Sequence, residues 1–385
     1  MATFVFENMT QAQADNITAT DIVAFATATT NARNVGVAIS TQVGTGVITL
    51  TSGGKALGFN SATLATISTS GNIVFNDNSR LDLGTNGDET VTGSTQPNTV
   101  YLFAGNDSYN AGATDSEDFV YGMGGNDTIT GGSTASHLYG FNASGGTDGN
   151  DIITGGESGD YLQGNSGTDT LDGGTGSDRI LGGAGNDTIS GGTGNDTANG
   201  NLGNDSLSGG SDNDLLRGGQ GNDVVNGDAG DDTLLGDLGT DTVDGGAGVD
   251  FLTGGAGNDQ FLFTGAGNTG VGTTVKAYDT INDYVDGEDN IHITANGSIF
   301  GDAAASAEIN IGASGATFTT VSAATVYAQQ LLDANAATND IALVKVGGDT
   351  YIFYESAGTG AGDIDTIIKI QGVTDTSIFT QADFA

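Results

Sequence analysis

The sequence predicts an all-β fold: a parallel β-roll, or β-solenoid, flanked by two smaller β-rich domains. Three observations carry that prediction. From Gly155 to Leu262 a nine-residue unit repeats twelve times without slippage, as in GGTGSDRIL, GGAGNDTIS and GGQGNDVVN. Each unit opens on glycine and holds aspartate at its sixth position. Each eighth position is apolar, from Leu162 to Phe261, with Ala198 the smallest.

The spacing dictates the geometry. The first six residues of a unit are turn chemistry, because glycine accepts positive φ and lets carbonyls fold inward. The last three form a short strand whose middle side chain points to one face. One unit cannot close on itself, but two make an eighteen-residue coil with a turn on each side. Stacked coils then pair their strands in parallel, odd units in one sheet and even units in the other, with the eighth-position residues buried between. A disordered glycine-rich linker has no reason to keep that apolar period, and the single proline, Pro97, excludes collagen.

Stacking also piles the sixth-position acids into rows: Asp160, Asp169, Asp178, Asp187, Asp196, Asp205, Asp214, Asp223, Asp232, Asp241, Asp250 and Asp259. Such rows do not fold without cations, and carboxylate and carbonyl oxygens without thiolate or imidazole select calcium. The pattern resembles the GGxGxDxUx repeat of the RTX (repeats-in-toxin) family, whose calcium β-roll is the fold this resemblance implies. It further implies ions between turns one coil apart, unit n with unit n+2. That gives about ten calcium ions in the uninterrupted array, enough to remove about twenty negative charges.

Composition bounds the partners. The 385 residues leave room for two or three domains, and the formal net charge is −40 with only eight Lys and Arg. No basic patch can be built, so nucleic acid and anionic lipid are not expected as partners. There is no cysteine and no apolar run of about 18 residues, so neither disulfides nor a transmembrane segment are expected.

In chain order, residues 1–95 read as a small N-terminal β-rich domain. Strands are expected at Thr3–Phe6, Val35–Ser40, Gly46–Thr51 and Asn72–Phe75, turns at Gly53-Gly54 and Asn76–Ser79, and a short helix over Thr20–Thr27. Residues 96–154 read as degenerate repeats leading into the roll. AGNDSYN, GGNDTIT and DGNDIIT keep the acid at Asp107, Asp127 and Asp151, whereas GGSTASHLY keeps Leu138 but carries Ser136 in its place. Asn142–Asp148 interrupts the period. These worn units are expected to cap the roll as partly calcium-loaded leading coils, with calcium at those three acids.

Residues 155–262 are the roll, and 263–385 a C-terminal cap and secretion domain. Within it, Asp279–Ile293 resembles the segment that follows the repeats in RTX proteins and covers the open sheet edge. A helix is expected over Ala323–Ala334, a hairpin from Ile341–Val346 and Thr350–Tyr354 around Gly347-Gly348-Asp349, and a strand over Asp363–Ile370.

The N-terminus lacks a basic, apolar leader. The ending, Asp383-Phe384-Ala385, resembles the uncleaved signal of type I secretion substrates. The resemblance therefore implies a bacterial protein passed unfolded through the type I secretion machinery and folded outside by calcium, secreted or at the cell surface. No HExxH or GxSxG occurs, and His137 and His292 read as solvent-facing sheet residues, so no enzyme and no catalytic residue are expected. The favoured role is self-association in a surface layer or extracellular matrix. The alternative is an adhesin or ligand-binding module, with cell-surface polysaccharide a possible partner of either; a secreted enzyme ranks last.

Overall fold

The computed structural model describes residues 3–14, 22–25, 36–39, 47–52, 55–60, 73–75, 79–84, 87–112, 117–141, 149–264, 279–285, 288–295, 298–299, 308–311, 321, 328, 340–355 and 366–373. The chain forms two compact units, Met1–Ala184 and Gly185–Ala385, whose described residues are all-β apart from short helical turns.

The first unit opens with a parallel sheet of Thr3–Val5, Ile22–Phe25 and Ile73–Phe75, and an antiparallel one of Gly36–Ile39, Val47–Ser52 and Lys55–Asn60. The four expected strands are present. The expected helix over 20–27 is not: Ile22–Phe25 is a strand, its Val23, Ala24 and Phe25 in register with Ile73, Val74 and Phe75 of the third strand of its sheet. A four-residue run with Ile and Val gains ladder bonds on both sides, which outweighs a weak local helical preference. The Gly53-Gly54 turn, Asn76–Asn78 and the 142–148 interruption lie outside the described residues.

The coils start earlier than the repeat signal. Arg80–Leu83 and Thr90–Thr92, inside the span read as N-terminal domain, are already roll strands. One sheet of this unit runs Arg80–Leu83, Asn98–Tyr101, Phe119–Tyr121, His137–Tyr139, Tyr161–Ser166 and Arg179–Ala184. The facing sheet runs Thr90–Thr92, Ser108–Asn110, Thr128–Thr130, Ile152–Gly156 and Thr170–Thr175. All pairings along both are parallel.

In the second unit the alternation continues. Ile189, Leu207, Val225, Val243, Phe261 and Ile291 stand in register down one sheet, and Ala198, Leu216, Leu234, Leu252 and Ile281 down the other. All are buried, so the eighth positions form the core as the spacing predicts. Most strands are six residues rather than three, because pairing runs on through the first three residues of the next unit, as in Val224–Ala229. Asp279–Ile281 and Asn290–Ala295 do not merely cover an edge; each adds a further coil strand. Beyond them Thr366–Ile370, Asp349–Glu355 and Asp340–Val346 continue one sheet, the last two as the expected hairpin with Val346 opposite Asp349. Of the helix expected over 323–334 only Ala328 is described; it is helical and buried against Val344, Phe353 and Ile367.

The glycines of a unit do different jobs. The second and fourth positions take positive φ, and where glycine is replaced the substitutes are mostly Asn or Asp: Asn201 at 77°, Asp228 at 69°, Asp212 at 77°. The first glycine, never replaced, does not need that conformation. A Cβ on Gly227 would stand 2.4 Å from Asp232 Oδ2 and 2.5 Å from the Gly245 carbonyl oxygen. Space is the constraint there, and the acid five residues on creates it.

Candidate metal centre

All fifteen aspartates singled out from the sequence lie in buried ladders, two in each unit, none more than 4% exposed. In the first unit the amide N–H of Asp107 donates to Asp127 Oδ1, Asp127 to Asp151 and Asp151 to Asp169, each at 2.8 Å. On the opposite turn row Ser136 donates to Asp160 and Asp160 to Asp178. In the second unit one ladder links Asp187, Asp205, Asp223, Asp241 and Asp259, and the other Asp196, Asp214, Asp232 and Asp250, at 2.8–2.9 Å. Each bond spans one coil, so strand register alone sets the acid spacing.

Only one carboxylate oxygen is used this way. Oδ2 of Asp107, Asp160, Asp205, Asp214, Asp223, Asp232, Asp241, Asp250 and Asp259 is buried and makes no hydrogen bond. An ionised oxygen held dry and without a donor is costly unless a cation lies against it. The surroundings offer oxygen: the space beside Gly236 is shared by Asp241 Oδ2 and the Gly254 carbonyl oxygen, and that beside Gly209 by Asp214 Oδ2 and the Gly227 carbonyl oxygen. Among the described residues no three acidic or imidazole side chains converge. A cation held here would take aspartate oxygen and complete its shell with backbone carbonyls, a hard donor set that fits calcium.

The electrostatics agree. Burial, against the opposing backbone N–H bond and with help from ladder neighbours, pushes Asp232 up to about 7 and Asp205, Asp223 and Asp241 to about 6. The same causes raise Asp107 and Asp160 to about 7. The protein environment alone disfavours the charged form that the repeat supplies at every turn.

The ladders are longer than the repeat. Asp118, Asp279 and Asp289 occupy ladder positions that sequence reasoning missed: Asn98 N–H donates to Asp118, Asp250 to Asp279 and Asp259 to Asp289. Their signal is the bare D-x-U core, DFV, DTI and DNI, without the glycines. At the far end Asp289 Oδ2 accepts from Val285 N–H, and Asp283 takes the N–H groups of Gly254 and Gly255. At that rim the carboxylates are thus met by protein donors.

A second ladder escaped the sequence reading. The residue before each ladder acid is often Asn, and its Oδ1 accepts the next coil's amide: Asn204 from Asn222, Asn186 from Asn204, Asn213 from Asp231. The two ladders point in opposite directions along the coils. Asp receives from the preceding coil and Asn from the following one, so each turn is clamped both ways.

His137 is half-exposed on its strand, paired with Glu117 at 3.8 Å and stacked on Phe119; the His292 side chain lies outside the described residues. No described helix is long and apolar enough to cross a membrane.

A family described as the RTX calcium-binding nonapeptide repeat (4 copies) matches residues 83–116, 113–138, 145–180, 172–207, 181–216, 199–234, 208–243, 226–261 and 235–269. No curated protein matches. Among solved structures, the chain is similar to the AlgE6R3 subunit of the Azotobacter vinelandii mannuronan C5-epimerase, with 21% identity, TM-score 0.29, and 46% of this chain and 78% of that one covered. It is also similar to the extracellular lipase LipA of Serratia marcescens, with 16% identity and TM-score 0.23, over 65% of this chain and 40% of the lipase.

Proposed function

We propose, from the premise that this chain carries RTX calcium-binding nonapeptide repeats, that it is a bacterial structural protein exported unfolded by type I secretion, folded outside by calcium, and self-associating at the cell surface or in extracellular matrix. The observation that carries the reading is the row of buried Oδ2 atoms without hydrogen-bond donors. Where calcium is scarce the ladder charges oppose the fold; where it is plentiful the ion neutralises them. The residues that would hold it are the ladder aspartates and the turn carbonyls beside the first glycines. Folding is thereby tied to the compartment.

Self-association is supported by apolar side chains on the outer faces of the second unit. Leu202, Leu215, Leu238 and Phe251, all on one sheet, are 44–53% exposed, in a chain of net charge −40 that calcium would partly discharge. A non-enzymatic role is supported by the stacked, carboxylate-paired setting of His137 and the lack of hydrolase motifs. Electron microscopy of the purified chain, with millimolar calcium and again with chelator, tests this reading. Sheets, tubes or filaments formed only with calcium support it. Dispersed folded monomers in calcium overturn the assembly and direct attention to adhesion, by polysaccharide-binding screens.

A further inference from the structure

The leading coils are built differently from the regular array. Asn98, Asp118 and Ser136 occupy successive places in a row that becomes all aspartate from Asp160 onward. Asp118 is fully enclosed, yet both its oxygens meet protein donors. Asn98 gives its amide N–H and Nδ2 to Oδ1, at 2.8 and 2.9 Å, and the buried Tyr109 hydroxyl gives 2.5 Å to Oδ2. The next acid in that row, Asp160, has no such donor on Oδ2.

The outer face of the same sheet carries an independent feature. Tyr101, Tyr121 and Tyr139 form one column of stacked rings, with centroids 4.8 and 4.9 Å apart and planes within 11°. Phe119 and His137 form a second at 4.5 Å, continuing to Tyr161 at 5.7 Å, over which the Arg179 guanidinium lies at 5.8 Å. The ring spacing matches the strand spacing, so each added strand gains a stacking contact that no ion mediates. Because neighbours take the ring faces, the columns offer edges to solvent rather than a platform for a sugar.

We propose that residues 98–112 and 117–141 form a calcium-independent nucleus whose last strand, His137–Tyr139, is the template on which the calcium-dependent coils from Tyr161 onward add. In this arrangement hydroxyl, amide and ring contacts do in the leading coils what calcium does in the array. Asp107 and Asp127 in the facing ladder remain acidic, so the nucleus is held chiefly through its aromatic sheet until calcium arrives.

Hydrogen–deuterium exchange of the full chain, read by mass spectrometry in chelator and in calcium, tests this directly. In chelator, peptides within 98–141 are expected to exchange at least about tenfold more slowly than an unfolded chain, while those within 187–262 exchange at unfolded rates. Equal, unprotected exchange in both segments overturns the proposal. Phe119→Ala with Tyr121→Ala is expected to abolish the chelator-resistant protection yet leave 187–262 protected in calcium. Tyr109→Phe is expected to weaken it by removing the donor to Asp118. Resistance that survives loss of both rings and of the Tyr109 hydroxyl rules out these contacts as its source. Should the ring variant fail to fold in calcium, the wild-type profile in chelator still decides.

Discussion

The amide of Asp205 donates to Oδ1 of Asp223 at 2.8 Å, while Oδ2 of the same Asp223 carboxylate is buried without a hydrogen bond. One oxygen holds coil to coil and the other is left for an ion. The two functions are separable by substitution. Asp223→Asn keeps an acceptor for Asp205 but replaces the charge, whereas Asp223→Ala removes both. The calcium midpoint of folding, followed by circular dichroism, is expected to rise several-fold for Asn and further, with reduced steepness, for Ala; Asp187→Ala combined with Asp223→Ala should exceed either alone. An unchanged midpoint in the double variant would remove these residues from the site.

The first glycine of the unit makes an independent test. Gly227→Ala drives a Cβ to 2.4 Å from Asp232 Oδ2 and 2.5 Å from the backbone oxygen of Gly245. A carbonyl in a paired coil cannot swing away as a side-chain end can, so the cost is expected at about 1–3 kcal/mol. Calcium-loaded thermal unfolding is the measurement, and a melting temperature equal to wild type would show that the coil has slack here.

Much of this was legible because acid, apolar residue and glycine recur at one spacing. What escaped was hidden by turn length. The ladder bond from Asn98 to Asp118 spans 20 residues, and those to Asp279 and Asp289 span 29 and 30. Strand pairing fixes the coil, and extra residues are absorbed at the turns, so the fold continues where the period breaks. The asparagine ladder was invisible for another reason: Thr, Ser and Val also stand at its positions, since an exposed acceptor is optional. Ile22–Phe25 was misread because four residues carry too little period to separate helix from strand.

The raised carboxylates set a pH dependence with a definite sign. An unfolded aspartate titrates at its usual ~3.9, whereas burial, partly offset by the backbone N–H bond, holds Asp205 and Asp223 at about 6 and Asp232 at about 7 in the ion-free fold. The fold then binds more protons than the unfolded chain between those values. Its ion-free stability is fully present below the unfolded value and is lost as pH rises through about 6–7. In chelator, β-structure by circular dichroism is expected to increase from pH 7.5 to pH 5. In calcium the apparent affinity should fall over the same range as protons compete. A chelated chain that loses structure on acidification contradicts the sign.

Ala198 is buried at 1% exposure and stands opposite Leu216 in a row whose other members are larger. Ala198→Leu restores the side chain typical of the eighth position and is expected to raise the calcium-loaded melting temperature, the gain being about 1–2 kcal/mol of apolar burial. A lower melting temperature would mean that the flanking side chains already fill the space.

The two ladders of the turn predict opposite phenotypes for adjacent residues. Asn204 accepts the Asn222 amide at 2.7 Å on the exposed side of the coil, and Asp205 accepts from Asp187 at 2.8 Å on the buried side. Asn204→Ala removes a hydrogen bond whose donor water can then reach, at a cost of about 1 kcal/mol. Calcium stoichiometry by isothermal titration is expected to be unchanged. Asp205→Ala removes a bond together with an ion ligand, so the stoichiometry itself is expected to fall. On this division ion binding is expected of the inner ladder alone and coil-to-coil clamping of both. Loss of calcium on Asn204→Ala would place the outer residue in the ion's shell and break that division.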